Sequence, residues 1–500
     1  MNLCALVKML KFNFVLTAAL LALGLSLLFS TQLEGAQTQS AQQALTADIS
    51  TTKLQKDIPL LMKEAGVPGL SMGVITNGHV VLQSFGVADA KTNAPVTEDT
   101  IFNAASLSKT VFAYGVLKLV DQGKLGLDVP LTTYLPKPYI EGDERLQKIT
   151  ARFVLSHRAG FPNWRGNDPL KIYFTPGERF SYSGEGMVYL QKVVEQITGQ
   201  RLNEYMQETV FGPLAMSNSS YVWCRDFETH AATGHDSDGG TANLLKPDEA
   251  VSAASLETTA RDYATFLAAV LAGRGLKPAT LREMETPQIA VDPECTNCTT
   301  RAPKELSKEL FWGLGWGIQK TGQGDSLWHW GDNGAYKAYV VARPDTKSAV
   351  VMFANSENGL SIARAVVAET LGGDQPAFDW LKYDNYDSPG MRFAVVVREK
   401  GAAAALKEFS SALSSGAISE VALNQEGYHL MGGKHLDDAI LIFQKNAELH
   451  PASSNVYDSL AEAYMNNHQN DLSIKNYEKS LELDSSNMNA AAMLKKLRGK

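Results

Sequence analysis

Ser106, Leu107, Ser108 and Lys109 open an apolar run, VFAYGVLKLV, that reads as a helix. A serine and a lysine three residues apart share one helical face and can touch. A serine hydroxyl is a poor nucleophile until a base takes its proton, and a buried lysine becomes that base when its pKa falls from about 10.4 toward 7 or 8. At a helix start, unpaired backbone N–H groups and the helix dipole also stabilise negative charge developing beside Ser106. On an exposed helical face Ser-x-x-Lys is common, so the pair alone says little. Two more segments follow it in the chain. Tyr182 in TPGERFSYSGEG comes after a Pro-Gly turn, and a phenol beside a lysine and a second cation can reach the phenolate or pass a proton. His329-Trp330-Gly331 in LWHWGDNGAYKAYVV opens an expected strand, where Gly331 would let a substrate lie close against the backbone.

These three segments need elements to bring them together. From Leu70, LSMGVITNGHVVLQSFGVAD gives two β-rich runs joined by Asn77-Gly78, the dipeptide that most favours a tight hairpin. Near residue 310 and beyond, WGLGWGIQ, WHWGDNGAYKAYVVARP and SAVVMFAN give three more, followed by the helical SIARAVVAETL. Between them, residues 103–123, 183–200 and 256–272 have helical spacing with Gly at or just past the ends. Strands at both ends with helices between predict an α+β domain: one antiparallel sheet built from both ends of the domain, packed with helices, with a cleft where the two parts meet.

The three motifs in this order, with the flanking phrases VLSHRAGFP and TPGERFSYSG, resemble the serine β-lactamase and penicillin-binding-protein superfamily. Within it the likeness is to the branch of class C β-lactamases, D-aminopeptidases and related esterases, over roughly residues 50 to 370. The resemblance implies acyl transfer without a cofactor or metal. Ser106 would attack a carbonyl, Lys109 and Tyr182 would share the proton transfers, and water would release the acid. The backbone N–H groups of Ser106 and Asp332 would hold the oxyanion, and His329, Gly331, Gly184 and Glu185 would contact the substrate. Two departures narrow the substrate. The family's second motif is usually Tyr-x-Asn, whose amide contacts an acylamino side chain; here it is Tyr182-Ser183-Gly184. The third is commonly Lys-Thr-Gly in β-lactamases, with a lysine that attracts a carboxylate, whereas His329 is only partly charged at neutral pH. An esterase, amidase or D-aminopeptidase-like activity is the expectation. The alternatives are a β-lactamase or D,D-peptidase acting on β-lactams or cell-wall peptide, and a non-catalytic scaffold. Glu185 either replaces the missing polar contact, recognises an ammonium group, or is a solvated helix-start glutamate.

Other polar and aromatic residues have plainer readings. His157 is expected to cap and orient a loop beside the site. His230, His235, Asp236 and Asp238 read as a solvent-facing Gly-rich loop, and Trp312, Trp316, Trp328 and Trp330 as core or as the wall of an acyl pocket. Cys295 and Cys298 in a polar, Pro-flanked loop could form a local disulfide, remain as thiols or, least in keeping with the absence of a second pair, bind zinc; Cys224 stands apart.

The chain has 500 residues, too many for one domain at roughly 150 residues each. Apolar residues at 44 % and charged residues at 20 % exclude wholesale disorder. The net charge of -8, with no Lys/Arg cluster, argues against nucleic acid as a partner. Residues 1–36 carry Lys8 and Lys11, an apolar run from Phe14 to Phe29 and small residues near Ala36. They read as a signal peptide for export to a periplasm or the medium, or as a membrane anchor formed by residues 14–29 if left uncleaved. The hydrolase-like domain is expected over residues 45–372 and a connector over 373–389. Residues 390–498 pair with themselves at an offset of 34, matching Phe443 with Tyr477 and Ala439 with Ser473, which is the tetratricopeptide period. Such an all-α repeat region could dock a protein partner, beside the small acyl or peptide substrate of the catalytic domain.

Overall fold

In a computed structural model the described residues are 52–237 and 239–499. The expected signal or anchor segment and Asp238 lie outside them. The chain divides into two compact units, Met1–Ile58 and Pro59–Lys500. Of the first, the described residues 52–58 are helical. No helix among the described residues is long and apolar enough to cross a membrane.

The second unit contains the α+β body expected from the sequence. Its nine-stranded sheet runs Ala94–Pro95, His79–Asp89, Gly69–Thr76, Ser348–Ala354, Tyr336–Arg343, Gly324–Asn333, Gly317–Thr321, Leu310–Trp312, Ile289–Ala290. Every pairing is antiparallel, and the amino-terminal hairpin joins the carboxy-terminal meander through Leu70↔Ala354 to Ile75↔Ala349. Asn77 and Gly78 both have positive φ, 50° and 81°, as a tight hairpin turn between right-twisting strands requires.

Helix Ser108–Asp121 is apolar on all sides and buried over most of its length, so it passes through the body and does not lie on it. One core joins its Val111, Phe112 and Leu117 to Val340, Val351 and Phe353 of the sheet. Helix Ala260–Leu271 adds Tyr263, whose ring meets Phe353 at 5.7 Å. Past Trp328 the strand Gly324–Asn333 pairs only with Tyr336–Arg343, so residues 329–333 turn an open edge toward the helices. The cleft lies along this edge.

Residues 373–389, expected as a connector, pack against the body. Pro376–Leu381 is a helix that buries Ala377, Phe378 and Trp380. The Trp380 indole N–H donates to the Asp292 carbonyl at 2.7 Å, and its ring meets Phe180 and Trp328. The prolines and aspartates suggested a connector, but Phe378 and Trp380 between them are what the body buries. Beyond Pro389 the chain is helical to Leu497 in short, closely spaced helices. This tail has a core of its own, from Phe393 to Tyr464, with Phe443 packed where Gly427 leaves room for its ring.

Candidate active site

Ser106 sits in a single 3-10 turn, Ala105–Leu107, immediately before the buried helix and not within its first turn. The preceding residue, Ala105, takes a left-handed φ of 47°, a strained conformation for a residue with a side chain. The strain is held by side chains. Asn103 Oδ1 accepts the Ala105 N–H at 3.0 Å and an amide N–H of Asn333 at 2.7 Å, while its own amide donates to Glu257 Oε1 at 2.6 Å. Burial pushes the Glu257 carboxyl up to about 8, so it is mostly neutral at pH 7.

Lys109 is fully buried because its helix is. Its Nζ lies 2.9 Å from Ser106 Oγ and donates to the Ala253 carbonyl at 2.7 Å. No carboxylate accompanies it in these contacts, and burial lowers its pKa to about 7. The ammonium also sits 4.8 Å from the centre of the Tyr182 ring. Tyr182 is fixed by its backbone N–H, which donates to the Thr296 carbonyl at 2.8 Å. Its hydroxyl is buried with no regular hydrogen bond, although the Ser106 hydroxyl is the neighbour that offsets part of the burial cost of its phenolate. Burial dominates and drives the Tyr182 pKa well above its usual value, so the resting group is a phenol.

The imidazole of His157 packs against Tyr182 at 4.4 Å, and its Nδ1 accepts the Ser183 N–H at 3.0 Å. It orients the loop and the ring together. His329 is also fully buried, with its Nδ1–H donated to the Trp330 carbonyl at 2.8 Å. Burial, with a smaller contribution from Lys109, pulls it down to about 3. It is therefore neutral, and the partial positive charge expected of it is absent. Gly331 is also where the strand meets the turn that carries Ser106. A Cβ there would stand 2.6 Å from the Ala104 carbonyl oxygen and 3.1 Å from Ala105 Cβ, so glycine lets the strand close against the turn that carries Ser106.

Two further expected contacts, Gly184 and Glu185, are engaged by the protein itself. Gly184 lies under Trp164: a Cβ would fall 2.8 Å from the indole and 2.9 Å from the Asn163 carbonyl oxygen. Glu185 is neither solvated nor free for an ammonium ligand. It is buried, its Oε1 accepts the Arg165 N–H at 3.3 Å, and the Arg165 guanidinium lies 3.6 Å away. Asn163 supplies carbonyl and amide oxygens to Gly184 and Glu185. Together these contacts clamp the loop that presents Trp164. His235, expected in a solvent-facing loop, is buried with Nδ1 on the Asn355 carbonyl at 3.0 Å.

A cavity of about 340 Å³ opens at Ser106, with Tyr182, Trp330 and Asp332 on its wall. Trp164, half-exposed, forms another side. Trp312, Trp316 and Trp328 are core residues. Cys295 and Cys298 are joined in a disulfide that closes the loop placing Thr296 and Asn297 at the cavity, while Cys224 is free. Sequence reasoning missed Asn103, Trp164, Glu257, Asn333 and Tyr383. Asn103 stands within the motif phrase, and its polarity beside an apolar helix was the one available signal.

The beta-lactamase family model matches residues 54–370. Penicillin-binding protein 4* of Bacillus subtilis (strain 168) is 24% identical over 318 residues, covering 57% of this chain and 67% of that protein. Protein flp of Staphylococcus aureus (strain N315) is 25% identical over 223 residues, 41% of this chain, and the match spans only 45% of that relative's length. Among solved structures, the beta-lactamase/D-alanine carboxypeptidase from Pseudomonas syringae superposes with a TM-score of 0.55 at 18% identity, covering 66% of this chain and 100% of that one. The family model spans more than half of the sequence, including the serine, lysine, tyrosine and histidine described above, and the chain belongs to the beta-lactamase family with its serine-hydrolase fold.

Proposed function

We propose that this protein is an exported serine hydrolase that acts through an acyl-enzyme on Ser106, with an ester or amide as substrate. The observation that carries the proposal is the Lys109 amine, wholly buried, 2.9 Å from Ser106 Oγ and with its pKa lowered to about 7. An amine that is half neutral near pH 7 can take the serine proton as Oγ bonds to the carbonyl carbon. The backbone N–H groups of Ser106 and Asp332 receive the oxyanion, each such donor typically contributing about 3 to 4 kcal/mol. As the tetrahedral intermediate collapses, the bond to the leaving group breaks and the proton passes from Lys109, through the Tyr182 hydroxyl, to the departing oxygen or nitrogen. Water then attacks the ester carbonyl, gives its proton back along the same path, and frees the acid and Ser106. Tyr182 serves as a neutral relay in this scheme, because its burial works against a resting phenolate.

The lining of the cavity supports neutral esters and amides, or D-aminopeptidase-like substrates, over carboxylate-bearing ones. Among the described residues no lysine or arginine lines it, and His329 is neutral. This weighs against the β-lactamase and D,D-peptidase readings, whose ligands carry a carboxylate. Export rests on the sequence of residues 1–36. For the tail we propose tetratricopeptide-like repeats that dock a protein partner. The helices Glu420–Gly432 and Leu436–Leu449 are followed, each at the 34-residue offset, by Ser454–Asn466 and Asn470–Leu483.

A fluorophosphonate probe tests the catalytic proposal. The expected result is one adduct, on Ser106, lost in Ser106→Ala and formed at least about a hundredfold more slowly in Lys109→Ala. A well-folded protein that takes no label at Ser106 would establish the scaffold reading instead.

A further inference from the structure

The cavity at Ser106 receives two residues from beyond the family-matched stretch of 54–370, Leu381 and Tyr383. Their delivery is built into the fold. Trp380 is pinned by its hydrogen bond to Asp292 and by its ring contact with Trp330 at 6.1 Å. Lys382 then takes a left-handed φ of 59°, which turns the chain, and the Tyr386 N–H is held by the Ser361 carbonyl at 3.1 Å. Tyr383 lies between these two fixed points.

Its hydroxyl donates to Asp332 Oδ2 at 2.6 Å. The other carboxylate oxygen, Oδ1, pairs with the buried Lys337 ammonium and accepts the Gly334 N–H at 3.1 Å. Both oxygens of this acid are therefore engaged. The Tyr383 phenol is pushed well up, by partial burial and then by the Asp332 charge, so it stays protonated and can only donate toward the carboxylate.

Asp332 stands where a side-chain charge is least welcome. Its backbone N–H is a proposed donor to the oxyanion, and a carboxylate one side chain away would repel the charge that forms there. Left free, it could also turn back and accept the N–H groups of the hole. We infer that Tyr383 is a positioning residue for acylation: with Lys337, it holds the Asp332 carboxylate turned away from the oxyanion, while its ring walls the substrate cavity. The inference rests on reading Ser106 as the nucleophile.

The test is a double-mutant cycle on the full-length protein, reading kcat and KM for p-nitrophenyl butyrate together with the fluorophosphonate labelling rate. Tyr383→Phe keeps the ring and removes the donor. It should lower kcat and the labelling rate about tenfold, with KM changed less than about twofold. In an Asp332→Asn background, whatever its own activity, adding Tyr383→Phe should change kcat less than about twofold, because there is no carboxylate left to restrain. Equal losses in both backgrounds, or no loss in the parent, would overturn the positioning role. A parent protein that takes no label at Ser106 would overturn the catalytic proposal, and this inference with it. A labelled parent with an additive cycle would overturn this inference alone.

Discussion

A lysine buried in the first turn of a core helix, with no carboxylate among its described contacts, is an expense in stability that the proposed chemistry accounts for. Lys109 loses its hydration, and the contacts it gains are a hydroxyl and a carbonyl, so its neutral form is favoured down to about pH 7. In the proposed mechanism the base is the unprotonated amine, so the rate of Ser106 acylation should rise with pH and level off above a midpoint near 7. A labelling rate flat from pH 5 to 9 would remove Lys109 as the base. The same shift has a stability consequence of fixed sign. Between about 7 and the unfolded value of 10.5, the unfolded chain carries a proton here that the folded chain lacks, so stability gains with rising pH across that window. Below about 7 both states are protonated and the full burial penalty applies. Lys109→Met removes the penalty, so its melting temperature relative to the parent should be highest at pH 6 and fall progressively by pH 10. The carbonyl of Ala253, left without its donor, costs the same at every pH and drops out of that comparison. A difference independent of pH would show that Lys109 is not depressed.

At the scale of elements, the departure from Tyr-x-Asn is a packing exchange. Helix Gly184–Thr198 begins directly after Ser183, whose Oγ accepts the Gly186 N–H at 2.9 Å and donates to the Pro162 carbonyl at 2.8 Å. The cap thus ties the helix to the 162–165 loop, and Trp164 occupies the space over Gly184 that a side chain there would need. Because the backbone oxygen of Asn163 blocks one direction at 2.9 Å, a rotamer change of Trp164 cannot by itself admit a larger residue. Gly184→Ala should therefore displace the loop and raise KM several-fold for a small ester, a change visible in tryptophan fluorescence; an unchanged KM and spectrum would show that the indole does not shape the cavity. This exchange also shows where legibility stops. The hairpin at Asn77-Gly78 and the Ser106–Lys109 pair were readable because turn chemistry and helical spacing are local. The antiparallel sheet followed from the β-rich runs at both ends of the body. Trp164, and the Glu257 that braces Asn103 from 154 residues away, were not readable, because nothing near them in the chain announces the neighbour. The neutral state of His329 was not readable either, since its burial depends on how Trp312 and Trp330 close around it.

For the whole molecule, the question is where the catalytic body ends. The contacts it shares with the helical tail include polar ones: Ser237 Oγ meets His429 Nδ1 at 3.0 Å, and Glu357 lies 3.9 Å from His429 Nε2. The tail's largest core draws all its members from Phe393 onward, so the two parts do not share that core. The segment between them is different in kind. Phe378 stacks on Tyr339 at 4.5 Å, Trp380 reaches into the aromatic cluster behind the site, and Tyr383 enters the cavity. Burying two such rings contributes about 3 to 6 kcal/mol by area, a large share of the stability of an ordinary domain. A chain ending after Asp387 should then fold and take the fluorophosphonate label within a few-fold of the full-length rate, because the cut exposes polar contacts. One ending after Leu371 should be insoluble or melt at least about 10 °C lower, because it bares Tyr339, Trp328 and Trp330. If the shorter chain proved as stable and as reactive as the longer, residues 376–383 would be dispensable to the body. If the longer lost its label while still folded, the helices beyond Pro389 would be part of the catalytic machinery and not only a surface for partners.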